Sequence, residues 1–382
     1  MRSVVFVNHL PRGSASSYRQ EGFAKYLRKE GLETTLVCRG SGVPAVGRGG
    51  AYTREVNWTE PFPLMLVQNA RLLARAARSA DIVHVNRANP FTATLVSLVR
   101  GAIRGRVVVD MEDWDGYGGY STYIQSHGPK GWALTAYERA FPRTADAVVV
   151  VSRMLRDYMV RTGVPEERLT VINNGFDEEV FTPGEDRDLA RKRYGLAESS
   201  VVIYSSTFWE FEKEQHELAF EALRRILKEV PDARLVLTGR EDSSISGALR
   251  RSGIEGRVVR TGFVPRARLP GIMAAADVAV HVIGADAFHR ASSPMIVPEY
   301  MAMGKPVVAP RVGELEVILS GGAGVLVDEV DPASIAEAAV RLLRDREERE
   351  AVGRRARMKA VEKYSYRSET EELMRVYERA LA

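Results

Sequence analysis

Apolar and polar positions in the first half of the chain fall into a repeating rhythm. SVVFVNHL is a β-branched run; a Gly/Ser loop follows it, then YRQEGFAKYLRKEG, with helical spacing and a closing Gly31. ETTLVCR, DIVHVN, RVVVDME and DAVVVVS are further short apolar runs, of the kind buried in a parallel sheet. Helical stretches separate them, including PLMLVQNARLLARAARSA, in which Arg71, Arg75 and Arg78 recur at helical spacing. The alternation predicts a doubly wound α/β fold.

FDEEVFTPGEDRD breaks the rhythm at Pro183 and Gly184, after which the pattern restarts. VVIYSST, ARLVLTG, RVVRTG, DVAVHVI, KPVVAP and GAGVLVD read as strands, and HELAFEALRRILKEV as a helix. SETEELMRVYERALA reads as a final amphipathic helix. The expected organisation is one α/β unit over residues 1–182, joined by the tail helix 366–382, and a second over 183–365. Ligands of open parallel sheets bind beyond the carboxyl ends of the strands, so the chemistry is expected in a crevice served by loops of both sheets.

At 382 residues the chain exceeds one ordinary core. Its 45% apolar and 27% charged residues are those of a soluble globular protein, and no apolar run of spanning length occurs. The N-terminal apolar run is too short for a signal peptide. Cys38 is the only cysteine, which excludes a disulfide framework and a thiolate metal cage. These features predict a cytoplasmic protein. The net charge of +4 is uneven: residues 1–180 hold 23 Lys and Arg against 18 Asp and Glu. From Arg71 to Arg106, seven Arg are opposed only by Asp81. That excess is either a solvated helix face or a surface that meets something acidic, such as lipid headgroups or a phosphorylated acceptor. Aromatics are not interleaved with it, so nucleic acid is not an expected partner.

Several chemistries are absent. No GxGxxG follows the first strand, and there is no GxxxxGK[ST] and no GxSxG. Six His are scattered without metal-ligand spacing. Asp113 and Asp115 form a literal DxD, which reads either as a polar loop or as a grip on a cation bound to a diphosphate. ASSPMIVPEYMAMGKPVVA, from Ala291 to Ala309, is more informative. Ser293 and Pro294 set an extended lead-in, a helix begins near Met295, and Pro298 is tolerable in its first turn. First-turn amides favour an anion such as a diphosphate. Glu299, one turn in, reads either as an exposed acid that suits the dipole or as an acceptor for the two hydroxyls of a ribose.

PEYMAMGKPVVAP resembles the EAMAxGxPVVA signature of GT4-type retaining glycosyltransferases, whose GT-B fold pairs two Rossmann-like domains. ERAFPRTADAVVVVSRMLRDYMVRTGVPEERLTVINNGFDEEVFTP, VVIYSST, ARLVLTG, VVRTGFVPRARLPGIMAAADVAVHV and GAGVLVD follow in the family's order, so the likeness covers nearly the whole chain. It implies that the second domain binds a nucleotide-diphospho-sugar, and that the first binds a carbohydrate or lipid-linked acceptor. Glu299 then matches the acid that holds the ribose, with Met295 and Ile296 amides at the diphosphate. Gly13 and Ser14 match the small-residue loop that approaches the donor phosphates. Lys213 matches the base that neutralises the leaving diphosphate, and Phe263 and Val264 match the loop lining the base pocket. The tail helix would cross back to the first domain.

The chain also departs from the pattern. Ala291 stands where the family often has a first Glu, Ile296 where a subset with SPxKxxEYMA has Lys, Glu112 and Asp113 where a His-Asp pair is usual, and Thr207 where an arginine is common. Arg240, His289 and Arg290 are candidates to compensate. The expected reaction is sugar transfer with retention and without a metal or cofactor, Glu112 or Asp113 orienting the acceptor or acting as base. The alternatives are a non-catalytic nucleotide-sugar-binding subunit and a sugar-nucleotide epimerase or hydrolase on the same fold.

Overall fold

The computed structural model describes residues 1–11, 15–40, 52, 54–59, 65–125, 128–184, 187–205, 213–239, 243–328 and 330–382. Contacts divide the chain into two compact units: Met1–Gly175 with Ala291–Ser293 and Tyr366–Ala382, and Phe176–Arg290 with Pro294–Ser365. The rhythm of the sequence breaks at Pro183, but the contact boundary lies earlier, because Phe176 and Phe181 are already buried in the second unit's core.

The first unit is built on β1 (Ser3–Pro11), β2 (Glu33–Arg39), β3 (Arg54–Asn57), β4 (Ile82–Asn86), β5 (Arg106–Met111), β6 (Ala147–Val150) and β7 (Leu169–Val171). Their order is β3-β2-β1-β4-β5-β6-β7, and every pair is parallel. β4 and β6 are buried at every position, which is why they read as unbroken apolar runs. β3 and β7 escaped the sequence reading: REVN and LTV are short, contain polar residues and lie at the sheet's edges, so neither carries a buried run. The tail helix Tyr366–Leu381 packs Tyr366, Leu373, Val376 and Tyr377 against Phe6 and Phe23. The pairing extends into a buried polar chain: the Tyr377 hydroxyl lies 2.9 Å from His84 Nδ1, and His84 Nε2 lies 3.2 Å from Asp110 Oδ2. Asp110 also accepts from Arg19 Nε at 2.8 Å.

The second unit carries β8 (Val201–Ser205), β9 (Arg234–Thr238), β10 (Val258–Gly262), β11 (Val278–Val280), β12 (Val307–Pro310) and β13 (Val325–Val327). The order is β10-β9-β8-β11-β12-β13, again parallel throughout. Counted from its own first strand this is the 3-2-1-4-5-6 order of a dinucleotide-type sheet, whose switch point lies between the first and fourth strands, here β8 and β11. The expected helix after the Ser293-Pro294 lead-in spans Ile296–Ala302. It buries Val297, Tyr300 and Met301 and ends at Gly304, whose φ of +67° a side chain would resist. Arg357 caps its last turn by donating to the Ala302 carbonyl at 2.6 Å.

Candidate functional site

In the second unit the strand ends gather a polar group around Glu299. Its residue is only 3% exposed, although it lies in the first turn of a helix. The surface alternative from sequence is therefore corrected: Val297, Tyr300 and Met301 turn this helix into the core and carry Glu299 inward with them. Arg266, in the turn Arg266–Arg268 after β10, forms an ion pair with Glu299 Oε1. The same guanidinium lies 5.8 Å over the Phe181 ring, and its Nη1 is 4.0 Å from Met295 Sδ. Burial raises the Glu299 carboxyl against the pull of Arg266, to about 7. Beside it the Tyr300 hydroxyl donates to Ser205 Oγ at 2.7 Å, and Thr238 Oγ1 lies 2.8 Å from the same atom, tying the helix to the ends of β8 and β9.

The lead-in is fixed separately. Asn174 donates through Nδ2 to the Ser293 carbonyl at 2.7 Å and through its backbone N–H to Ser293 Oγ at 3.1 Å. Ser152 Oγ donates to the Ala291 carbonyl at 2.6 Å. Pro294 follows at the start of the second unit's segment, and Val264 and Ile296 are half-buried against that unit's core. After β11, His289 Nδ1 lies 2.5 Å from Asp286 Oδ2. A side chain at Gly284 would come within 2.9 Å of that ring nitrogen. His281, buried with neither ring nitrogen hydrogen-bonded among the described residues, is pushed down to about 4 by burial and by His289. Arg290 is exposed and donates to the Ala285 carbonyl.

In the first unit the ends of β4 and β5 bring one arginine to three acids. Arg87 takes a left-handed φ of +57°. It pairs with Asp113, with Asp115 at 3.1 Å and with Glu112 at 3.8 Å. Asn86 Nδ2 donates to Glu112 Oε1 at 2.5 Å. Burial pushes Glu112 up to about 8 against the pull of Arg87. Burial also raises Asp113, to about 6, again opposed by Arg87 and helped by Asp115. Both acids of the DxD are thus turned onto a guanidinium. Arg87 is accordingly no part of the surface excess in which the sequence placed it. His9, pushed down to about 4 by burial and Arg87, lies 2.8 Å from Asn89 Nδ2. Asn89 caps the helix Pro90–Val99.

Two family models cover most of the chain: Glycosyltransferase Family 4 over residues 21–180, and Glycosyl transferases group 1 over residues 199–345. The chain belongs to the group 1 glycosyl transferases. This glycosyltransferase is 26% identical over 97% of its length to the sulfoquinovosyl transferase SQD2 of Arabidopsis thaliana, covering 72% of that protein. It is 29% identical to a GDP-mannose-dependent phosphatidylinositol monomannoside mannosyltransferase of Mycolicibacterium smegmatis, where the match takes in 64% of this chain and 66% of the relative. It spans 56% of the N-acetyl-alpha-D-glucosaminyl L-malate synthase of Bacillus anthracis at 29% identity. Among solved structures, Anabaena HepE in complex with UDP and glucose superposes with a TM-score of 0.78 at 19% identity, over 98% of this chain and 99% of that one. The sucrose-phosphate synthase of Thermosynechococcus elongatus gives 0.75 at 18%, over 99% and 98%. The fold is therefore GT-B, with two doubly wound sheets, as the motifs implied.

Within the glycosyltransferase, the residues expected to touch the donor are differently placed. Gly13, Ser14, Thr207 and Arg240 lie outside the described residues. Lys213 opens the helix Lys213–Glu229, is 56% exposed, and stands 3.9 Å from Glu217, the geometry of a solvated helix pair. Phe263 is 60% exposed beside the half-buried Val264. Two residues that the sequence reading passed over are central: Arg266 at Glu299 and Arg87 at Glu112 and Asp113. Arg266 stands only two positions beyond Val264, and its proximity to the PEYMA segment is a tertiary fact with no local signal.

Proposed function

We propose that this glycosyltransferase moves a sugar from a nucleotide-diphospho-sugar to a hydroxyl acceptor, with retention of configuration and without a metal. The observation that carries the reading is Glu299: a buried carboxylate at the C-terminal side of a doubly wound sheet, one helical turn past an immobilised Ser-Pro lead-in. There it accepts the ribose diol. The first amides of its helix have no earlier intrahelical acceptor and face the diphosphate from Met295 and Ile296. Charge growing on the departing nucleoside diphosphate is met by these fixed dipoles, which act most strongly in the transition state. The names of the relatives support the donor class: one uses GDP-mannose, and HepE binds UDP.

The acceptor lies with the first unit in this reading. Glu112, its carboxyl pushed up to about 8, donates a hydrogen bond to an acceptor hydroxyl, and Asp113 is the ionised partner held by Arg87. The leaving phosphate takes the acceptor's proton. The outer face of the helix Leu66–Ala77 exposes Val67 at 64% together with Arg71 and Arg75, and Arg78 follows it on the surface. We assign this face to anionic headgroups, peripherally at the cytoplasmic side of a membrane, where a lipid-linked acceptor would be met. Among the described residues no helix is long and apolar enough to cross a membrane. Co-sedimentation with anionic liposomes that is lost at high salt is the expected result; binding to neutral and anionic vesicles alike would contradict it.

The donor reading is tested by isothermal titration. A hydrogen bond to a charged group contributes about 1.5–3 kcal/mol. Glu299→Ala is therefore expected to weaken nucleoside diphosphate binding about tenfold to a hundredfold. Unchanged affinity would remove Glu299 from the site.

A further inference from the structure

Among the described residues Arg266 is the one cation placed on the Glu299 carboxylate, and its position is built rather than incidental. The short turn Arg266–Arg268 after β10 brings the side chain in from the sheet's edge. The Phe181 ring backs the guanidinium, Met295 Sδ approaches one terminal nitrogen, and the other pairs with Glu299 Oε1. The residue is largely covered, with 18% of its side chain exposed. Three segments distant in sequence thus converge on one ion pair.

We propose that Arg266 is a positioning residue that keeps the Glu299 carboxylate charged and aimed for the ribose diol of the donor. This deepens the donor reading above and rests on it. A carboxylate accepts both diol hydroxyls; a protonated carboxyl must spend one oxygen as a donor and loses that geometry. A carboxylate this deeply buried favours its neutral form unless a cation faces it. Among the described residues, the other groups around it do not supply that charge. Tyr300, on the same helix, is a neutral phenol committed to Ser205. Arg357, from the helix Arg346–Lys363 packed alongside, is committed to the carbonyls of Phe181 and Ala302 at the helix's far end. Burial raises Glu299 and, among the described residues, Arg266 opposes it, so removing Arg266 moves the carboxyl further up. Arginine suits the task because it stays charged in a nonpolar setting and stacks on an aromatic face.

The test uses full-length wild type, Arg266→Ala, Arg266→Lys, Glu299→Gln and the Arg266→Ala/Glu299→Gln double variant. Each is titrated calorimetrically between pH 6 and pH 9 with whichever of UDP, GDP and ADP the wild type binds most tightly. In parallel, the Glu299 carboxyl is titrated in the ligand-free protein by 13C NMR, with Glu299→Gln assigning the resonance. The expected result is a loss of about tenfold at pH 7 in Arg266→Ala, equal to 1.4 kcal/mol, which shrinks as the pH rises. Arg266→Lys should restore part of it, and Arg266→Ala should cost nothing further in the Glu299→Gln background. A loss that is the same at every pH, or one that adds in full to that of Glu299→Gln, would overturn the proposal. If no diphosphate binds even the wild type, the donor reading fails instead. The NMR titration then still decides Arg266: a midpoint for Glu299 unmoved by Arg266→Ala overturns its role.

Discussion

At the scale of single residues, the molecule places carboxyl groups where water is scarce and then gives some of them an arginine. Glu299 with Arg266 and Asp113 with Arg87 are the two cases at the proposed donor and acceptor positions. Glu112 shows the opposite balance: at 3.8 Å Arg87 does not offset its burial, and its carboxyl is pushed up to about 8. Glu112→Gln keeps a neutral hydrogen-bonding side chain, so turnover near pH 7 is expected to hold within a few-fold. Glu112→Ala should lose about 10-fold or more in turnover with acceptor, on the scale of one lost buried hydrogen bond. If Glu112→Gln is as inactive as Glu112→Ala, the group works as a base and not as a donor; a steady-state pH profile of the three proteins decides it. Sequence showed these acids but not their partners. Glu299 was legible because the resemblance fixes its place in PEYMA, whereas Arg266 lies in a loop whose side-chain direction only the folded chain sets.

Elements were legible where burial is two-sided. β4, β5, β6 and β12 are apolar runs because both faces are covered, and their boundaries follow the runs closely. β3 and β7 lie at sheet edges, where one neighbour is missing and polar residues are tolerated, so no run marks them. The Ala291–Ser293 segment, which precedes the Glu299 helix in sequence, is a further case. Its anchoring belongs to Ser152 and Asn174, remote in sequence, and no periodicity could announce it. Ser293→Ala leaves the buried Asn174 N–H without its acceptor, a loss of about 1–3 kcal/mol. Thermal unfolding should therefore fall by about 2–4 °C per kcal/mol, with donor affinity reduced alongside. A Tm and a donor affinity both equal to wild type would show that this anchor is dispensable.

For the whole molecule, the raised carboxyls set a direction for pH. Glu112 and Glu138 are pushed up to about 8, and Glu299 to about 7, in each case chiefly by burial. Each binds a proton in the folded state at a pH where the unfolded chain has released it, so stability falls as pH rises from about 5 through 8. Glu138, which accepts from the Gly116 N–H at 2.8 Å, lies in the first unit and is the cleanest probe. Glu138→Gln should flatten the decline in Tm between pH 6 and pH 9, and an undiminished slope in scanning calorimetry would assign the decline to other groups. The same scale separates transfer from the other reactions a GT-B protein can run. Release of free sugar from a sugar nucleotide without acceptor would mark a hydrolase, and NMR of the products distinguishes it from transfer.

Whether Glu299 reads the ribose of an activated sugar is decided by titrating wild type and Glu299→Ala with UDP, GDP or ADP, whichever binds, and with the matching 2′,3′-dideoxynucleoside diphosphate. Removing the two hydroxyls is expected to weaken binding to the wild type about tenfold to a hundredfold and to leave binding to Glu299→Ala nearly unchanged. Equal affinity of the wild type for the two ligands would contradict that role for Glu299.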